Sequence, residues 1–308
     1  MNNGHHVNDP NVIAEDFCNY FTNVGVTFAS AIPPSKKSFD FYLNNNMNAN
    51  SIYFSPTDPE EIEKILTAMK PKNSRGIDDL STNFLRKIKE SIKDPLSKLI
   101  NTSLEKGQVP TILKTAKVIP IFKNKNPSEY ANYRPISLLP AFSKIIEKVV
   151  HKRLYNYMDM HNLLYNAQYG FRPKYSTIHA ITQLSSTILE SFDNKKSTTG
   201  VFLDLSKAFD TINHATLLKK LEHYGVRGVA LDWFRSYLTG RKQYVHFNGI
   251  NSSLQDVTCG VPQGADLYYL LYIRMTYQIP CGTPSASSSQ MIPHSSIPQR
   301  TQINPWLP

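Results

Sequence analysis

One carboxylate inside an apolar strand limits what this chain can fold into. The stretch GVFLDL (Gly200 to Leu205) reads as a short buried strand, and Asp204 interrupts it. Burying an ionised carboxylate without a cation or donor to meet it is prohibitive, so something positive must reach this strand end. Asp204 can cap a helix that opens at Ser206 or Lys207, accepting from the free N–H groups of the first turn. It can equally hold Mg²⁺, a hard ion bound by one or two protein carboxylates together with substrate phosphates. Residue logic leaves both open.

Around that strand the chain is densely punctuated. Residues 1–55 are rich in Asn and carry one aromatic cluster, EDFCNYFTNVG, which predicts a leader or linker with a short helix. Asp58-Pro59 predicts a helix start, with Ile62, Ile65, Leu66 and Met69 on one face. A second helix is expected from Ser81, and a third from Asp94-Pro95 to a stop at Gly107. TAKVIPIF reads as a strand in which Pro120 argues for an edge or a break. A long amphipathic helix then puts Phe142, Ile145, Ile146, Val149, Val150 and Leu154 on one face. Lys144, Lys148, Lys152 and Arg153 lie on the other, as a solvated basic face. Residues 177–192, HATLLKKLEHYG and GVALDWFRSYLTG predict further helices, and the alternation around Asn248-Gly249 predicts a hairpin. Helices dominate the first half and short strands follow, which is an α+β pattern.

Composition narrows the class of protein. With 41% hydrophobic and 19% charged residues, 308 residues suffice for a sizeable core. No run approaches the ~18 apolar residues of a membrane span, and MNNGHHVNDP lacks the apolar centre of a signal peptide, so the expectation is an intracellular protein with no membrane partner. Cys18, Cys259 and Cys281 are an odd, scattered set without a CxxC pair, a pattern that indicates neither a disulfide framework nor a zinc site. The formal net charge of +10 points to a polyanionic partner, and without a poly-Lys block its surface has to be assembled by folding.

Five segments, in order and spacing, resemble the reverse transcriptases of non-LTR retrotransposons, particularly jockey-like LINE elements. They are VIPIFKNK, YANYRPISLLPAFSKIIEKVVHKRL, NAQYGFRPKYST, GVFLDLSKAFDTINHATLLKKL and CGVPQG, and the resemblance covers roughly residues 15–264. It implies a right-hand polymerase with fingers and part of a palm, the thumb absent. The expected layout is a leader or linker over 1–55, a helical segment before the core over 56–109, fingers and partial palm over 110–264, and an aberrant, disordered Ser/Pro-rich tail over 265–308. The implied partners are an RNA template, a DNA primer or target and a dNTP, and the implied cofactor is Mg²⁺ or Mn²⁺, in a two-metal nucleotidyl transfer.

The resemblance also assigns roles. Asp204 matches the first palm carboxylate, the catalytic metal ligand, and its neighbour Phe202 is expected to pack inward. Phe209 falls on the steric gate against a ribose 2′-hydroxyl. Lys123 and Arg134 match the basic pair that clamps the triphosphate, the planar Arg fork offering paired hydrogen bonds and Lys a point charge. Lys125 is close enough to compete with Lys123. Gly170 and Arg172 belong to a motif along the template or fingers surface, where a structural role for Arg172 stays open. Gln263 is placed against the nascent base pair, with Pro262 and Gly264 shaping its turn.

The pattern breaks after Gly264. The family continues into a helix and then an Asp-Asp hairpin, yet here no Asp-Asp follows Asp79 and no acidic residue follows Asp266. Two-metal catalysis is therefore expected to be incomplete, leaving a non-catalytic nucleic-acid-binding remnant as the alternative reading and an unstable fold as a third. Read one nucleotide out of register, Met275-Thr276 and Met291-Ile292 must each encode Asp, because the Met codon ends in G and the next codons begin AC and AT. Gln290-Met291 gives a second Asp if the Gln codon is CAG. A frameshift between about Ala265 and Arg274 accounts for the loss.

Overall fold

The computed structural model describes residues 9–31, 41, 47–164, 167–170, 172–200, 202 and 210–261. These lie within one unit, Met1–Tyr277; a second, Gln278–Pro308, lies wholly outside the described residues, as does the expected tail from 265. The described fold is α+β, a small open sheet flanked by helices.

The helices follow local signals where these exist and core burial where they do not. Helix α1 spans Pro10–Ser30, α2 Pro59–Ala68, α3 Thr82–Lys87 and α4 Lys89–Lys106. The Asp58 side chain accepts from Glu61 N at 2.6 Å and Pro59 opens α2; Ser81 caps α3 through Phe84 N at 3.1 Å. The third predicted start is displaced. Helix α4 begins at Lys89, not at Asp94-Pro95, and carries Pro95 in its interior. Proline there removes one intrahelical bond. The helix persists because Leu96, Ile100 and Leu104 are buried and because Lys89 and Lys93 each reach Glu63 on α2 at 2.9 Å. Gly107 then ends it in the left-handed conformation expected of a glycine stop, φ 62°.

Helix α1 differs most from the sequence reading. In place of a leader with a short helix, 21 residues form one helix whose Phe17, Cys18 and Phe21 join the core. Asn-rich flanks concealed it, whereas its apolar residues at 14, 17, 18, 21 and 24 carry a helical period.

Helices α5 (Ala141–Met160), α6 (Thr177–Asp193), α7 (His214–His223) and α8 (Val229–Leu238) follow among the described residues. The apolar stripe of α5 is buried as expected from Ile145 to Leu154, with Phe142 packed partly against it. Its basic face is not merely solvated. Arg153 is latched to Glu61 at 2.9 Å and donates to the carbonyls of Ser55, Pro56 and Val149. Helix α8 supplies the largest core side chains, Trp233, Phe234 and Tyr237. Trp233 donates to Ser103 at 3.1 Å and Tyr237 to the buried Glu147 at 2.9 Å, so both polar ends are satisfied.

Strands β1 (Thr115–Phe122), β2 (Tyr133–Leu138), β3 (Arg241–Phe247), β4 (Ile250–Asn251) and β5 (Gln255–Val257) form the sheet. β1 lies between β2, antiparallel, and β3, parallel; β4 and β5 pair with β3. Pro120 falls where β1 has become an edge, one of the two placements its presence predicts. It faces Pro135 across the β1–β2 ladder, and β3 pairs with β1 only as far as Val118. Opposed prolines fit a position where neither residue donates to the ladder, so no bond is lost. The predicted hairpin is present, with Phe247 opposite Ile250 and positive φ at Asn248 (49°) and Gly249 (81°), as a tight two-residue turn requires.

A candidate nucleotide-binding face on the sheet

Strand alternation sorts the sheet into two faces. Ala116, Val118 and Val245 point into the core. The other face carries Lys117, Ile119, Ile121 and Lys123 from β1 and its extension, and Arg134 and Ile136 from β2. The β1–β3 register adds Lys242 and Tyr244. Ile121 and Ile136 are exposed, 47% and 38%, and Arg134 and Lys123 are exposed. Asp256 stands opposite Lys242 on this face, with 3.7 Å between their charged atoms.

Lys123 and Arg134 come together. Ile121 pairs with Arg134, and the Lys123 N–H bonds the Asn132 carbonyl at 2.9 Å, extending the ladder by one pair beyond Phe122 and Tyr133. The two basic side chains are therefore diagonal neighbours on one face, within reach for long side chains. The loop between them is braced. Asn132 donates to the Asn126 carbonyl at 2.9 Å and to Glu129 at 3.0 Å, Ser128 N to the Asn126 side chain at 3.0 Å, and Tyr133 to the Pro127 carbonyl at 2.9 Å. Lys125, exposed and at φ 74°, sits in that loop. A charged pair held on an ordered turn loses little freedom when it meets an anion.

The loop is also fixed from below. Tyr130 donates to Asp16 of α1 at 2.8 Å, while Phe17 packs edge-on against Tyr130 and Tyr133 with centroids 4.9 and 4.8 Å away. Burial and the Asp16 carboxylate push the Tyr130 phenol up to about 12, so it donates throughout the neutral range.

The other expected site residues divide. Asp204, Phe209 and Gln263 lie outside the described residues, with Pro262 and Gly264. Phe202, expected to pack inward, is 80% exposed. Gly170 is exposed, and a Cβ built on it meets nothing within 4 Å, so the chain's own packing does not require glycine there. Arg172 is largely buried, its guanidinium 4.4 Å above the Tyr175 ring and 3.9 Å from Asp159, an arrangement that packs Arg172 into the fold. Among the described residues no three His, Cys, Asp or Glu side chains are grouped to hold a metal, and no helix is long and apolar enough to cross a membrane.

Lys117, Lys242 and Tyr244 were missed by sequence reasoning. The period-two alternation of AKVIPIFK and RKQYVHF carries them, but assigning a face needs the β1–β3 pairing, which joins strands over a hundred residues apart.

Comparison with known proteins gives this face its context. The family model for reverse transcriptase (RNA-dependent DNA polymerase) matches residues 122–292, more than half the chain and past Gly264. The chain is 31% identical over 235 residues, 76% of its length, to the RNA-directed DNA polymerase from mobile element jockey of Drosophila melanogaster, of which it covers 26%. It is 33% identical to the probable RNA-directed DNA polymerase from transposon BS of the same organism, with 73% of this chain and 25% of that protein aligned. A retrovirus-related Pol polyprotein from the type-1 retrotransposable element R2 of Popillia japonica is 23% identical over 75% of this chain and 31% of that protein. The chain thus spans about a quarter of the length of the first of these relatives. By the extent of the family match, the chain belongs to the reverse transcriptase (RNA-dependent DNA polymerase) family.

Proposed function

We propose that this chain is the fingers and part of the palm of a right-hand RNA-directed DNA polymerase from a jockey-like non-LTR retrotransposon. Residues 110–264 make up that part and 56–109 precede it. The observation that carries the reading is the diagonal placement of Lys123 and Arg134 on an open basic face, braced by a short loop. On this reading Arg134 grips triphosphate oxygens in pairs and Lys123 neutralises them as a point charge. Lys117, Lys242, Ile121 and Tyr244 extend the face for a nucleic-acid strand, through phosphate contacts and stacking. Phe209 excludes a ribose 2′-hydroxyl, and Gln263 reads the nascent pair.

The reaction proposed for the family's intact site joins the primer 3′-oxygen to the α-phosphorus of a dNTP and expels pyrophosphate. The donor set in this chain falls short of the divalent ions such a transfer uses. Two ions bridging a nucleotide need more than one shared carboxylate. Asp204 is one, and no Asp or Glu follows Asp266. We therefore assign no step to a metal here, and the second reading, a nucleic-acid-binding remnant without catalysis, is favoured for this chain by that shortfall.

Titrating a fluorescent dNTP analogue tests the clamp. Arg134→Ala and Lys123→Ala each weaken binding about tenfold or more, the loss of a charge-assisted hydrogen bond. Lys98→Ala, on the exposed side of α4, leaves it unchanged. Equal affinity in all four proteins removes the clamp.

A further inference from the structure

Helix α1 contains a glycine at position 25, in its fifth turn, where alanine is the better helix former. The reason is contact. A Cβ on Gly25 would lie 1.9 Å from the Asp210 carbonyl oxygen and 3.6 Å from the Cys259 sulfur. The first distance is far inside any real contact with backbone, so only glycine admits the chain there.

The two segments touched are joined to each other. Gly260 N–H bonds the Ile212 carbonyl at 2.9 Å, Cys259 Sγ lies 3.3 Å from the same oxygen, and His214 Nε2 lies 2.7 Å from the Gly260 carbonyl. Asp210 is the first described residue after the stretch bearing Asp204 and Phe209, and Val261 the last before Gln263. Roughly 13 Å along the same helix, at ~1.5 Å per residue, Asp16 holds Tyr130 in the loop between Lys123 and Arg134.

We propose that α1 is the positioning element of the nucleotide site. Gly25 seats the Asp210–Ile212 and Cys259–Val261 segments on the helix, and Asp16 ties the phosphate-binding loop to its other end. Gly25 and Asp16 are positioning residues, acting through the segments they hold, and the assignment of those segments to one site rests on the nucleotide reading above. An N-terminal segment that resembles a leader is then required for the site.

Gly25→Ala in the full 308-residue chain discriminates. A merely helical Gly25 gives a variant with a higher melting temperature and an unchanged neighbourhood. A seating Gly25 gives amide exchange at least tenfold faster at Gly260 and across 210–214, with protection of α4 and α8 retained, while Val26→Ala on the exposed side changes neither. Retained protection at Gly260 in Gly25→Ala overturns the proposal. If Gly25→Ala does not fold, Tyr130→Phe carries the test: faster exchange over 123–132 with an unaltered melting temperature supports the tie to α1, and unaltered exchange refutes it. These exchange readouts need no ligand. Faster exchange in Gly25→Ala together with no dNTP-dependent protection at 259–261 in the wild-type chain keeps the seating and removes the nucleotide reading instead.

Discussion

Arg134 stands diagonally across the β1–β2 ladder from Lys123, both on the face turned away from the core. Exchanging Arg134 for Lys keeps the charge and loses the planar fork. The expected result is an intermediate dNTP affinity, several-fold below wild type but above Arg134→Ala. Equilibrium titration of the three proteins gives the order, and Lys matching Arg would show that charge alone suffices.

Strand binding should follow salt. Each phosphate contact adds about 0.7 to the slope of log affinity against log salt for a single strand. Lys117→Ala or Lys242→Ala should lower that slope by nearly one contact's worth, measured by anisotropy with an RNA oligonucleotide. Tyr244→Ala should weaken binding and leave the slope unchanged, because stacking releases no counterions.

A separate pair holds the helices together. Glu61 lies between α2 and α5, accepting from Arg153, Lys152 and Thr57. Burial works against ionisation, yet these donors hold its carboxyl down to about 2 from an ordinary 4.5. A depressed folded pKa means stability fully present above about 4.5 and lost as pH falls through about 2. Glu61→Gln should cost about 2 kcal/mol at pH 7, since it leaves Arg153 without its charge partner. Its melting temperature should also change less than the wild type's between pH 5 and about 3, by calorimetry. Identical acid sensitivity in both would deny Glu61 the role.

How much was legible varies with the kind of signal. Helix starts at Asp58 and Ser81, the stop at Gly107 and the Asn248-Gly249 turn were readable because each rests on a few adjacent residues. The start of α4 was misread, since core burial of Leu96 and Ile100 outweighs the local preference of Pro95. Helix α1 was underestimated because what orders it is remote: Gln243, Ser253 and Gln255 bond to Thr22, Glu15 and Asn19. At the candidate site, Lys123 and Arg134 could be named from family likeness, but their shared face required the strand register. Asp204, the feature that first constrained the fold, lies outside the described residues.

The coding DNA carries its own prediction. Beyond codon 264 another reading frame should contain an Asp-Asp codon pair near codon 291, with the frame changing between about codons 265 and 274. Sequencing the locus decides this, and the absence of such a pair in every frame would remove the frameshift.

Primer extension on an RNA template with Mg²⁺, comparing this chain with Asp204→Asn, tests the central claim most directly. The account predicts that both bind primer–template in a salt-dependent manner and that neither extends the primer. Extension by this chain that disappears in Asp204→Asn would contradict it, and would show that a second carboxylate is supplied from somewhere other than an Asp-Asp pair.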